Sequence, residues 1–252
     1  MDPPPLAAAV TGWAVRAPLG RTIEAVADRL LAGERAAADN PLFDARTYPC
    51  RLAAAAAPPQ PSRHRRFLRR LGLLALEAAA EALAQARATA GFPAVAGDRI
   101  GLFFGYGGLR AHWDDVMPAL SGLCASASSE PLVATWERGL KLLHPFWMLL
   151  HLSNNAHALC AEDLQILGEG VTYGGANAGA QALFGAQAAL WAGAIDVALV
   201  VAHDSLIEPE VVLELGGRGA LAAGEFAALR APYGAGAGGY VPGQVAAALV
   251  LE

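Results

Sequence analysis

The sequence is short of charge, of cysteine and of long apolar runs, and each shortage excludes something. Only 16% of the 252 residues are charged while 55% are hydrophobic. Alanine supplies much of that apolar content, so the composition describes an Ala-rich folded chain, not a membrane protein. The most apolar block, LLHPFWMLLHL, is interrupted by His144, Pro145 and His151 and is too short to span a bilayer. The opening MDPPPLAAAV lacks the basic region of a secretory signal, so a cytoplasmic location is expected. Three cysteines, Cys50, Cys124 and Cys160, are odd in number and form no CxxC pair, which fits a reducing compartment better than a disulfide framework. A net charge of −5 argues against general nucleic-acid binding.

Other chemistries fail on spacing. No GxSxG nucleophile elbow is present. His144, His151 and His157 stand seven and six residues apart, not at the i, i+4 spacing of a helical metal pair. These histidines and His203 are therefore expected to be satisfied core or surface residues, and no metal is expected. Gly234, Gly236 and Gly239 formally satisfy GxGxxG, but an apolar strand follows them where a dinucleotide site needs a helix, so no cofactor is expected.

What is present alternates between strand and helix patterns, which predicts an α/β layered sandwich. The run AAAVTGWAV reads as a buried strand, and TIEAVADRLLAG as a helix stopping at Gly33. Residues 34–61 hold five prolines and few periodic signals, and predict an irregular excursion. From Ser62, SRHRRFLRRLGLLALEAAAEALAQA reads as one long helix, RIGLFFGYGG as a strand entering a glycine turn, and IDVALVVAHDS as a strand buried on both faces. GEGVTYGGANAGAQALFGA reads as a strand, a glycine turn and a slim helix over 177–192. Ala178, Gly179, Ala182, Gly185 and Ala186 on that helix predict close packing at the centre of the fold, because two internal glycines at a cost of roughly 1 kcal/mol each need tertiary compensation. The chain is expected to form a single domain over 1–252.

Several of these stretches together resemble the β-ketoacyl-acyl carrier protein synthases, which have the thiolase-like fold. AVTGWAVRAPLG resembles the family's opening strand and turn, GDRIGLFFGYGG its second strand, GEGVTYGGANAGAQALFGA its nucleophile strand-turn-helix without a gap, GAIDVALVVAHD the next strand, and APYGAGAGGYVPGQVAAALVLE the segment closing its first half. The resemblance implies the N-terminal half of that fold with a buried central helix. The second half, which supplies catalytic histidines and a lysine in active members, has no counterpart among these residues.

The departures carry the functional expectation. Where active members have a cysteine, this chain has Asn177. Asparagine has no ionisable nucleophile and forms no acyl-enzyme. Its simplest role is a helix N-cap; a sharper one is an amide that binds a thioester carbonyl, since loading ketosynthases with glutamine in this place decarboxylate malonyl groups. Gly234, Ala237, Gly238 and Gln244 stand where the family usually carries charges. The resemblance therefore implies no catalysis by this chain alone and a role like that of chain-length factors, which lack the cysteine and pair with an active ketosynthase in fatty-acid or polyketide assembly; similar subunits occur in aryl polyene pathways, and the alternatives are a decarboxylase or acyl transferase acting through the Asn177 amide and a remnant of a longer synthase. The partners so implied are an active ketosynthase, in a heterodimer, and an acyl carrier protein. Leu109, His112, Trp113, Phe146 and Phe184 are candidate pocket or interface residues, with core filling the plainer reading for Trp113. Arg63, Arg65, Arg66, Arg69 and Arg70 are candidates for docking an acidic carrier protein, and the strand 196–205 is expected to be an edge needing cover.

Overall fold

The computed structural model describes residues 8–108, 113–125, 137–222 and 238–252, without the side chains of residue 114 and of 122–125. Five strands form one sheet: β1 (Val10–Arg16), β4 (Ile100–Tyr106), β5 (Gly170–Gly174), β6 (Val197–Ser205) and β7 (Gln244–Leu251), in the order β1-β7-β6-β4-β5. β4 runs parallel to β5 and β6, while β7 runs antiparallel to β6 and β1. Helices on both sides complete three layers. The large face of the core joins Leu102, Phe104, Leu199, Val201, Ala248 and Val250 of the sheet to α2 (Arg70–Ala88), whose Leu74, Ala78, Ala82 and Ala86 are fully buried. The opposite face carries α6 (Ala178–Trp191) on Phe103, Ala198 and Val200.

Local chemistry explains most element ends. α1 (Ile23–Leu31) begins where the Thr22 hydroxyl accepts the Ala25 N–H at 3.2 Å and stops just ahead of Gly33, as its sequence predicts. α5 (Asn155–Leu164) closes on Gln165 in the left-handed conformation, φ 55°. Between these come α3 (Trp113–Ala125) and the short α4 (Trp147–His151), and α7 (Pro209–Gly217) follows β6. Within 34–61 the regular structure is a two-residue pair, β2 (Ala38–Asp39) with β3 (Leu52–Ala53).

Two expectations need correction. The segment from Ser62 is not one helix: Ser62 Oγ accepts the His64 N–H at 3.1 Å and caps a single 3₁₀ turn over Arg63–Arg66, and α2 starts afresh after an extended Arg69. A serine that satisfies the first free amide nucleates a turn locally, and the tight turn then gives way before the long apolar stripe begins. The strand 196–205 is not an edge. β6 is hydrogen-bonded to β4 on one side and β7 on the other, and its Val197–Val201 run is buried on both faces. The unbroken apolar pattern reports that central place; among the described residues the edges are β1, paired with β7 alone, and β5, paired with β4 alone. Among the described residues no helix is long and apolar enough to cross a membrane.

The buried-helix expectation for 177–192 holds along one side of α6. Ala178, Ala182, Ala186 and Ala189 lie against the sheet, whereas Leu183, Phe184 and Trp191 are 41%, 67% and 45% exposed. The small side lets the backbones meet. A Cβ on Gly105 of β4 would stand 2.6 Å from the Ala178 carbonyl carbon, closer than side-chain carbons come to backbone. Gly105→Ala is therefore expected to push α6 off β4 and to cost about 1–3 kcal/mol of stability, as overpacking does. A urea titration of the two proteins measures it, and equal midpoints would show that the contact is not tight.

Candidate functional site

β5 delivers the chain to Gly175, whose φ of +111° is open to glycine and strained for other residues. After this turn Ala176 and Asn177 lead straight into α6. Asn177 occupies the N-cap position, and its carbonyl accepts the Gln181 N–H at 3.0 Å, but its side chain makes no capping bond. The reason is its backbone, at φ −110° and ψ 14° instead of the extended conformation that aims a cap side chain at the first free amides. The capping expectation is thus met in position and not in hydrogen bonding. The amide is exposed at the mouth of a fourteen-residue helix, where a thiolate or an oxyanion would gain from the dipole and the unpaired N–H groups. Asn177 itself brings a neutral hydrogen-bonding group and nothing that ionises.

The arginines form a second feature on the opposite side of the sheet. Arg63 is ion-paired with Asp163, which also meets His64 Nε2 at 2.8 Å. Arg69 is ion-paired with Asp115 of α3. Arg70 turns inward, donating to Gln244 Oε1 at 3.1 Å and to the Ala56 carbonyl; burial pushes its guanidinium below its ordinary value, with Glu208 opposing. Arg65 and Arg66 stay exposed. With Arg69, His144, Phe146 and Leu150 they line an open cleft of about 380 Å³. Phe146 stands edge-on to Phe67, ring centres 5.7 Å apart, at its wall. Three of the five arginines and one pocket candidate are therefore brought together. Trp113 lines a smaller neighbouring recess with Arg69 and Asp115. Phe184 stands apart on the outer side of α6, and Leu109 and His112 lie outside the described residues.

The histidines fall into two classes. His157 Nδ1 meets Thr172 Oγ1 at 2.8 Å, and His151 Nδ1 meets the Trp147 carbonyl at 2.6 Å, as satisfied residues should. His203 differs: both ring nitrogens are buried with no hydrogen-bond partner among the described residues. Burial pushes its pKa down to about 4, so the imidazole is neutral. It stands edge-on to Phe104 and lines a cavity of about 320 Å³ at the C-terminal ends of β4 and β6. Sequence reasoning missed this residue as a site. The signal was the switch from an apolar run to HDS at the end of a buried strand, where open α/β sheets place ligands. Among the described residues no cluster of histidine, cysteine and acidic groups could hold a metal. Cys50 and Cys160 are buried, free thiols, and burial with the nearby Asp163 pushes Cys160 up to about 12.

A family model for the N-terminal domain of β-ketoacyl synthases matches residues 7–252. The chain belongs to this family. Its central sheet with helices on both faces is thus the thiolase-like fold of a ketosynthase N-terminal domain. Solved structures agree on the fold. A β-ketoacyl synthase from Burkholderia phymatum STM815 is 22% identical, with 97% of this chain and 58% of that one covered and a TM-score of 0.76. The ishigamide ketosynthase/chain length factor is 19% identical, with 97% and 58% covered and a TM-score of 0.73. A type II polyketide synthase acyl carrier protein in complex with its ketosynthase bound to the hexaketide gives 19%, 97%, 62% and 0.65 in the same order. The chain thus spans 58% of the length of the first of these structures. No curated protein matches it.

The missing cap bond makes a specific prediction. Removal of a capping asparagine usually costs about 1 kcal/mol. Asn177→Ala should cost less than about 0.5 kcal/mol in a urea titration, as at an uninvolved surface position. A loss of the full capping value would show that the side chain does cap in solution.

Proposed function

We propose that this chain is a ketosynthase-like subunit without condensing activity of its own, which pairs with an active β-ketoacyl synthase in polyketide or fatty-acid assembly. One observation carries the reading: the position at which the resembling active enzymes carry their cysteine holds Asn177, an amide with no ionisable nucleophile. The proposed contribution is shape. Leu109, His112, Trp113, Phe146 and Phe184 would supply interface or pocket walls, and the partner would supply the chemistry. Heterodimer formation is supported by β5, an edge strand that among the described residues pairs with β4 alone and has Val171 exposed, which offers backbone groups for strand addition. Carrier-protein docking is supported by the exposed Arg65 and Arg66 beside the apolar Phe146 and Leu150, an arrangement suited to an acidic partner.

A second reading is favoured by one specific feature, the exposed Asn177 amide that no capping bond engages. In that reading the amide binds a malonyl thioester carbonyl during decarboxylation. Malonyl-carrier turnover by the chain, lost on Asn177→Ala, would support it.

The partner reading is tested by co-expression with the ketosynthase encoded nearest to it, tagging this chain alone, followed by native mass measurement. A stable one-to-one complex is expected. Thr172→Pro, in the middle of β5, should break the complex, whereas the pair Arg65→Ala and Arg66→Ala should leave it intact and weaken carrier-protein binding at least about tenfold. A lone chain that ignores the ketosynthase would contradict the reading.

A further inference from the structure

The two edges of the sheet are not alike. β7 presents alternate residues to its two neighbours. The Leu206 N–H bonds the Gly243 carbonyl on the β6 side, and Glu252 exchanges backbone bonds with Ala9 on the β1 side. Even-numbered β7 residues therefore face β1, and their partners Gly12, Ala14 and Arg16 turn their backbone groups inward. Trp13 and Val15 turn theirs outward, where no described strand pairs with them. Side chains meet them instead. Gln85 Oε1 accepts the Trp13 N–H at 2.6 Å, and Arg16 Nη1 donates to the Val15 carbonyl at 2.9 Å. Arg16 is itself pinned by Glu77, Glu81 and the Arg21 carbonyl. Gln85 reaches the strand from α2, which lies so close to β1 that a Cβ on Gly12 would collide with Ala82.

β5 has no such cover. At its two ends the Leu102 N–H bonds the Glu169 carbonyl and the Gly175 N–H bonds the Tyr106 carbonyl, so its odd-numbered residues face β4. The backbone groups of Gly170, Thr172 and Gly174 point outward, and no described side chain hydrogen-bonds them. Length and polarity alone favour the other edge. β1 has seven residues against five and leaves Val10 and Trp13 exposed, which is the kind of edge that recruits strands from other chains.

We propose that Gln85 and Arg16 close the β1 edge, so that strand addition is confined to β5 and stops at one partner. For the identity of that partner the proposal rests on the heterodimer reading above. An incoming antiparallel strand exchanges two bonds with each outward residue, and at Trp13 and Val15 one of the two is already taken. With both edges open, β5 of one copy would add to β1 of the next, a head-to-tail contact that does not close on itself. With β1 shut, the sheet grows once.

The test uses the isolated chain labelled with ¹⁵N-tryptophan, the Trp13 amide being assigned by its loss in Trp13→Phe. Gln85 is exposed on a helix, where alanine is the better helix former, so Gln85→Ala keeps the fold. Its Trp13 amide should exchange with solvent at least about fivefold faster than in the parent chain, the worth of one typical hydrogen bond. Gln85→Glu still presents an acceptor and should keep the slow rate. Two copies freed at Trp13 pair edge to edge there, so Gln85→Ala should also associate with itself at least about tenfold more tightly in sedimentation. Adding Trp13→Lys sets like charges opposite each other and should reverse that gain. A Trp13 amide that exchanges alike in the parent and Gln85→Ala would overturn the proposal. So would a Gln85→Ala chain that associates no more tightly than the parent. Neither measurement involves a ketosynthase, so failure here is distinct from failure of the heterodimer reading.

Discussion

The close approach of α6 to β4 is the constraint on which the candidate site depends. Gly105 has no side chain, Ala178 has the smallest one, and the helix backbone therefore rests almost directly on the strand. That contact fixes where the helix begins, and with it the place of Asn177 at the helix mouth. The left-handed Gly175 turns the chain from the edge strand into the helix within a few residues. The result is a rigid platform that aims a helix N-terminus at solvent. Such a platform has a purpose when a developing negative charge is to be held, and here it presents an amide instead.

On the other face of the sheet, α2 does the packing and its leading segment supplies the charge. Arg16 of β1 reaches Glu77 and Glu81 on α2, so strand and helix are tied by ions as well as by alanines. Before α2 the chain pauses in a short turn, and this pause separates the arginines by role. Arg63, Arg69 and Arg70 are used within the molecule, while Arg65 and Arg66 face outward. A run that looks uniform in sequence is thus part structural and part free for a partner. The same local break also resolves the conflict between clustered cations and a helix dipole, since four of the five precede the helix proper.

Much of the fold was legible because the patterns were strong. The alternation of strands and helices, the glycine stop at Gly33 and the small-residue side of α6 follow from spacing and residue size alone. What was not legible depended on partners in space. Val197–Val201 reads as buried on both faces, yet it takes the pairing of β6 with β4 and β7 to show that this strand is central and that the edges are β1 and β5. Ser62 competes locally for the backbone and cuts short what periodicity reads as one helix. Asn177 was readable as an N-cap by position, but its missing bond is set by ψ, which sequence does not reveal. His203 looked like any core histidine until its surroundings showed that no described residue hydrogen-bonds its ring nitrogens.

The central proposal is that the mouth of α6 keeps the form of a nucleophile site while holding Asn177 in place of a nucleophile. The most direct measurement is the pKa of a thiol placed there, in Asn177→Cys, from the pH dependence of its alkylation by iodoacetamide. With Cys124 replaced by serine in both proteins, the buried Cys50 and Cys160 give a slow background in the parent chain. The account predicts a thiol pKa at least about one unit below the ordinary value near 8.5, as helix N-termini produce. A thiol that titrates at or above the ordinary value would show that the helix mouth no longer favours negative charge, and would contradict the account.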